Sequence, residues 1–312
     1  MSITAKPKPV RKEARPSAVG SGPRRRNAVS RFFRSGRGDS PFKRLLIHLA
    51  LILASLIAVY PVLRVLSVSL RPGDRLLSTS LAIIPEDATM EAYRTVIVEK
   101  DFLLWIWNSI TITVATAVVG VILAATGAYA FSRWKFPGRV PGLIFLLTTQ
   151  MIPAAMLMVP IYILAARLNL INSYRGLAIA YSVSSVPFSI WILKGYYDTI
   201  PIDLEESAMI DGASRMTTFY RIILPLSTPA LAIVFLFNFM TAWNDYLLAR
   251  IMLQKTEMFT WTLGIWTLAG QFRVEWGNFA AASIMVMIPV MTLFLYSSKW
   301  LISGLTLGAV KG

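Results

Sequence analysis

The side chains of this chain that could do chemistry are few. His48 is the single histidine and cysteine is absent from all 312 residues, so no Ser/His or Cys/His nucleophile pair and no His/Cys metal-ligand set can be assembled. No G-x-x-x-x-G-K-[ST] run occurs either, which leaves the chain without a phosphate cradle. Neither catalytic residues, nor a metal, nor a cofactor of its own is expected. What remains is a small set of polar groups inside or beside apolar stretches: Gln150, Asn238, and the run Trp243-Asn244-Asp245. These offer hydrogen bonds beside an aromatic face, and they are the candidates for lining a pathway; for Asn244 and Asp245 the favoured alternative is that they orient the loop that follows them. His48 and Arg64 lie near the ends of an apolar run and read as interface anchors.

The elements that would position these groups are membrane spans. Apolar residues make up 55% of the chain and the mean hydropathy is +0.59, well above an ordinary soluble domain. They gather in runs of about 18 or more with almost no internal charge, long enough for a hydrocarbon core of about 30 Å. Such runs must be helices, because backbone polar groups in hydrocarbon have to be satisfied within the segment. A barrel is excluded by period, since Leu51-Ile52-Leu53-Ala54 is apolar on every side. Windows of about 19 residues place six spans at residues 45–70, 105–131, 140–165, 177–193, 230–249 and 279–301. Pro61, Pro153, Pro160, Pro187 and Pro289 fall inside them and are expected to bend them.

The net charge of +15 is concentrated in one tail: residues 1–44 hold 13 of the 31 Lys and Arg against Glu13 and Asp39. This Pro/Ser/Gly-rich segment cannot bury enough apolar surface to fold and reads as a disordered basic tail on the cytoplasmic side. Its position beside a span argues against nucleic acid as partner and for the lipid bilayer. Six spans then return the carboxyl terminus to the same face, so both termini are expected in the cytoplasm. The resulting plan is a tail at 1–44, a first transmembrane helix at 45–70, an extracytoplasmic loop at 71–104, a five-helix core at 105–303, and a carboxyl-terminal tail at 304–312. Within that core, residues 194–229 form a cytoplasmic loop. The external 71–101 stretch holds six acids against four bases, while Arg133, Lys135 and Arg139 fall inside.

The 194–229 loop is too polar to span and too regular to be slack. Asp203 can cap a short helix, with Glu206 three positions on completing a capping box, and Gly212 can take the left-handed conformation that ends it. Ser214 can cap a second helix carrying Met216, Phe219, Tyr220 and Ile223 on one face until Pro225 stops it. An apolar face on such a loop calls for a partner. Glu206-Ser207-Ala208, three residues, Gly212, nine residues and Ile222-Ile223-Leu224-Pro225 resemble the E-A-A…G…I-x-L-P signature of the permease subunits of binding-protein-dependent ABC importers. Asp211-Gly212-Ala213, the Trp243-Asn244-Asp245-Tyr246-Leu247-Leu248 run and the ending from Gly304 to Gly312 are similar to the carbohydrate branch. Only Ser207 departs from the pattern.

The resemblance implies an all-α integral membrane protein with the type I ABC importer permease fold, a non-catalytic subunit in a bacterial or archaeal inner membrane. It implies a second permease subunit, two ATP-binding subunits that use ATP and Mg, and an extracytoplasmic sugar-binding protein, with a maltose/maltodextrin-like oligosaccharide as cargo. Glu206, Ser207, Ala208, Asp211, Gly212, Ala213, Met216, Phe219, Ile222, Leu224 and Pro225 would then dock on the ATPase rather than catalyse. The 250–278 segment concentrates Met258, Phe259, Trp261, Trp266, Phe272 and Trp276 on the external side. It reads either as an interfacial anchor or as a contact for the binding protein, with Trp261 and Trp266 foremost and Gly264 and Gly270 permitting bends. The rival reading, a carrier driven by an ion gradient, needs carboxylates near the midplane, whereas Asp198 and Asp245 sit at span ends.

Overall fold

The structure, a computed structural model, describes residues 41–74, 82–270 and 274–309. The basic tail up to residue 40, Phe272, and residues 310–312 of the expected carboxyl-terminal tail lie outside them. The described residues form α-helices with short turns and no strand, as apolar runs require in hydrocarbon. The chain divides after Pro61 into two units. The described part of the first, residues 41–61, is helical, and α1 runs over Pro41–Ser69.

The second unit holds the remaining helices. In order these are α2 (Glu91–Val98), α3 (Phe102–Arg133), α4 (Arg139–Thr149), α5 (Ala154–Arg167) and α6 (Tyr174–Tyr197). They are followed by α7 (Asp203–Ile210), α8 (Arg215–Leu226, with a π-helical turn at Phe219–Ile223), α9 (Thr228–Trp243), α10 (Leu247–Met252), α11 (Trp261–Thr267) and α12 (Trp276–Ala309). Four of them, α1, α3, α6 and the stretch Trp276–Trp300 of α12, are long and apolar enough to cross a membrane; two bent pairs raise the number to six if each pair is one span.

Those bent pairs correct the expected spans. The helix expected at 140–165 is two, α4 and α5, meeting at 100°. Pro153 lacks an N–H and forces the residue before it out of helical geometry, so residues 150–153 turn the chain instead of continuing it. The span expected at 230–249 ends at Trp243, and α8 joins α9 at 79°. By contrast Pro61, Pro160, Pro187 and Pro289 all sit within uninterrupted helices. The backbone of α12 stays helical through Ala309, past residue 304 where a tail is expected.

Packing centres on α3, which lies along α6 and α9, while α9 also meets α12. The contact face of α3 is lined by small residues: Gly120, Ala124 and Ala128 recur every four positions, and Ala117, Ala124 and Ala128 are wholly buried. In a bilayer, where lipid tails are as apolar as leucine, close approach at such small residues is what holds helices together. A Cβ on Gly120 would fall 2.4 Å from Asn238 Oδ1, which fixes the α3–α9 approach. Two apolar clusters result, one around Trp105, Ile112, Trp243 and Leu263, the other around Tyr129, Tyr197, Phe219 and Ile223. They sit toward opposite ends of α3.

Candidate functional site

Residues 194–229 form two short helices joined by a tight turn, as their local sequence dictates. Gly212 has φ of +88° with nothing within 4 Å of where a Cβ would stand, so the turn selects glycine by backbone conformation and not by space. Ser214 caps α8: its Oγ accepts from the Thr217 N–H at 3.2 Å. The capping box at the start of α7 is not formed. Ile202 is already in helical conformation and receives the N–H groups of Glu205 and Glu206, so Asp203 stands inside the first turn without capping it. There Asp203, Glu205 and Glu206 place negative charge at the positive end of the helix dipole.

The apolar face expected on α8 is split. Phe219 and Ile223 are buried in the chain's own core, with Phe219 against Tyr129 at 4.7 Å between ring centroids. Met216 and Tyr220 are exposed. The two pairs lie on adjacent helical stripes, and only one stripe meets α3. Of the other signature residues, Glu206, Ser207, Asp211, Gly212 and Pro225 are exposed, while Ala208, Ala213, Ile222 and Leu224 are half-buried. Met209 and Ile210 add exposed apolar surface on α7, Ile210 at 85%.

Glu205, which the motif passes over, is the buried acid of this loop. It forms an ion pair with Arg133 Nε, and its other oxygen accepts the Tyr129 hydroxyl at 2.7 Å. Arg133 Nη2 donates to the Ile200 carbonyl at 3.1 Å. Alongside, Ser132 Oγ donates to Asp198 Oδ1 at 2.6 Å and Lys194 Nζ to Asp198 Oδ2 at 2.5 Å. Burial pushes the Asp198 carboxyl up, but the Lys194 and Ser132 hydrogen bonds and the charges of Lys194 and Arg139 outweigh it, so Asp198 titrates below its ordinary value.

At the other end of α3 the 245–270 segment is ordered too, and it is not the bending loop that its glycines suggest. Gly264 lies inside α11, where a Cβ would stand 2.0 Å from the Trp105 ring, so it serves close packing. Gly270 does turn, with φ of +50°. Trp261 is half-buried, its Nε1 donating to the Trp243 carbonyl at 2.8 Å. Trp266 is exposed and meets the Tyr246 ring at 5.6 Å.

The pathway candidates do not converge. Gln150 lies at the α4–α5 break on a cavity of about 560 Å³ with Thr149, Met151, Ser184 and Pro187. Trp243 and Asn244 border a different cavity of about 280 Å³ with Met240, Trp261 and Ser283. Asn238 is fully buried between helices, donating to Ser189 Oγ at 2.8 Å, and lines neither cavity. Asp245 orients the next helix: Oδ1 accepts from the N–H groups of Leu248 and Ala249 and from the Tyr181 hydroxyl. Burial lifts its carboxyl above the ordinary value even though those donors favour the charged form.

Residues 116–306, more than half the chain, match the family model described as binding-protein-dependent transport system inner membrane component. The chain belongs to this family. Among relatives of this inner membrane component, the maltose/maltodextrin transport system permease protein MalG of Salmonella typhimurium is 36% identical over 289 residues, covering 86% of this chain and 96% of its own. The galactooligosaccharides transport system permease protein GanQ of Bacillus subtilis is 36% identical over 269 residues, covering 85% and 94%. A chain of a bacterial ABC transporter involved in the import of the acidic polysaccharide alginate has the same fold, with a TM-score of 0.72 at 24% identity, covering 84% of this chain and 97% of that one. A second, of a bacterial alginate ABC transporter in complex with an alginate pentasaccharide-bound periplasmic protein, has a TM-score of 0.61 at 15% identity. The signature segment and the branch-specific runs thus point to the right family of permeases. What they miss is Glu205, whose partners Tyr129 and Arg133 stand in another helix and leave no local spacing to read.

Proposed function

We propose that this permease is one of two membrane subunits of an ATP-driven sugar importer, with six spans and both termini in the cytoplasm. Its 194–229 loop docks on ATP-binding subunits. The observation that carries the reading is the form of that loop: a rigidly rooted pair of helices presenting Ile210, Met209, Met216 and Tyr220 to the outside instead of to the chain's own core. Exposed apolar surface rimmed by the acids Asp203, Glu206 and Asp211 suits a partner cleft, and the chain has no nucleotide cradle of its own. Closure of the ATPase pair would push the loop and rotate the spans, switching a central cavity between the two sides. ATP and Mg belong to the partner.

The relatives are named for maltose/maltodextrin and for galactooligosaccharides, which supports an oligosaccharide cargo, a maltodextrin-like one first. A polar solute of that kind is held by hydrogen bonds and aromatic stacking, for which Gln150 and the Trp243/Asn244 cavity are the available groups. Exposed Trp266 is the candidate contact for an extracytoplasmic sugar-binding protein. The test is purification from mild detergent with identification of what co-purifies, then uptake of labelled maltodextrin into vesicles holding ATP with ion gradients collapsed. An ATPase and a binding protein should co-purify, and uptake should require ATP; uptake that followed an imposed proton or sodium gradient instead would overturn the reading.

A further inference from the structure

The acids of α7 and its C-cap divide sharply. Asp203, Glu206 and Asp211 are exposed, whereas Glu205 is 4% exposed and every oxygen of its carboxylate is engaged. Taking a carboxylate out of water is costly unless an opposite charge and further hydrogen bonds satisfy it completely. Here they do: Arg133 pairs with one oxygen, Tyr129 donates to the other, and Arg133 also holds the Ile200 carbonyl just ahead of α7. Arg133 therefore grips the loop both within α7 and before it. An ion pair shielded from water resists separation far more than an exposed one, because the interaction is screened less.

Arg133 is the last residue of α3, and α3 runs roughly 48 Å at about 1.5 Å per residue. Its opposite end holds the 245–270 segment: Asn108 Nδ2 donates to the carbonyls of Glu257 and Phe259, Ser109 Oγ accepts the Trp261 N–H at 2.7 Å, and Trp105 packs on Gly264. One helix thus has a buried joint to each of the two peripheral segments. We infer that Glu205 is a positioning residue that makes α7 and the end of α3 one rigid body. Displacement of the loop is then delivered along α3 to the far segment, not absorbed by bending between loop and helix. The inference rests on the reading of the 194–229 loop as the ATPase dock.

Glu205→Gln keeps the shape and removes the charge. In the complete transporter reconstituted in vesicles, the variant should keep its ATPase subunits and continue to hydrolyse ATP, while sugar taken up per ATP falls about tenfold, within the range over which coupled sites typically act on one another. The exchanged pair Arg133→Glu with Glu205→Arg should recover part of that loss. As the chain has no cysteine, Arg133→Cys with Glu205→Cys adds a single thiol pair; uptake per ATP should be low until a short bis-maleimide linker ties the two, and should then rise. A role confined to folding would lower uptake and hydrolysis together and would not respond to the linker. Unchanged uptake per ATP in Glu205→Gln, or a linked thiol pair that stays uncoupled, overturns the inference while the wild-type transporter works normally. A wild-type chain that binds no ATPase overturns the dock itself, and this inference with it.

Discussion

The two peripheral segments joined to α3 are attached in different ways. The 245–270 segment is pinned at separate points: Asn108 and Ser109 from α3, and Trp261 onto the Trp243 carbonyl. Asn172 Oδ1 adds a hydrogen bond from the Gln254 N–H at 2.6 Å. The 194–229 loop meets the same helix through the Glu205–Arg133–Tyr129 cluster, the bonds of Arg133 to the Ile200 carbonyl and of Ser132 to Asp198, and the packing of Phe219, with its outer surface left bare. Many small ties spread over a segment make a platform; a few ties gathered near the root of a segment, one of them a buried ion pair, make a lever. The difference fits a division in which one end presents a fixed surface and the other transmits movement.

The stiffness of the 245–270 segment depends most directly on Gly264. Gly264→Ala places a methyl 2.0 Å from Trp105, and overpacking of this kind costs typically about 1–3 kcal/mol. The detergent melting temperature should drop clearly, and Gly264→Val should drop it further. An unchanged melt would show that the segment yields, and the platform would be no stiffer than the lever.

Gly212→Val attacks the other side with a smaller effect on folding. Nothing surrounds the missing Cβ, so the cost is that of a left-handed residue, roughly 1–2 kcal/mol and more for a β-branched one. The chain should insert and keep its spans while uptake falls and the ATPase subunits dissociate more readily in detergent. Normal uptake with a firmly bound ATPase would remove Gly212 as the hinge between α7 and α8.

The smallest effect is expected at Asp198, whose side chain is 37% exposed. Its i,i+4 pair with Lys194 contributes about 0.3–0.5 kcal/mol. Because its folded-state pKa is depressed, that contribution is present above the ordinary aspartate value of about 4 and is lost as pH falls through the lower folded value. The melting temperatures of wild type and Asp198→Asn should differ slightly at neutral pH and converge on acidification. A gap as large as that of Gly264→Ala would make Asp198 part of the Glu205 joint.

Features that depend on short stretches of chain are legible in the amino-acid sequence. Uncharged apolar runs must become helices in hydrocarbon, and a Gly followed two residues later by Ser makes the turn between α7 and α8 through backbone freedom and a side-chain cap. The spacing of the signature likewise marks the family without reference to any fold. Tertiary structure alone decided which of two neighbouring, chemically equal side chains faces inward. Glu205 and Glu206 stand about 100° apart on one helix, and Glu205 is the buried one because Arg133, 72 residues earlier in the chain, closes over it. In the same way Trp261 is drawn onto the Trp243 carbonyl while Trp266 stays exposed, and Asn238 is sealed against Ser189 and Gly120. A residue type states what a side chain can bond to; whether it does so depends on partners distant in sequence, which only the packing of α3, α6 and α9 brings within reach.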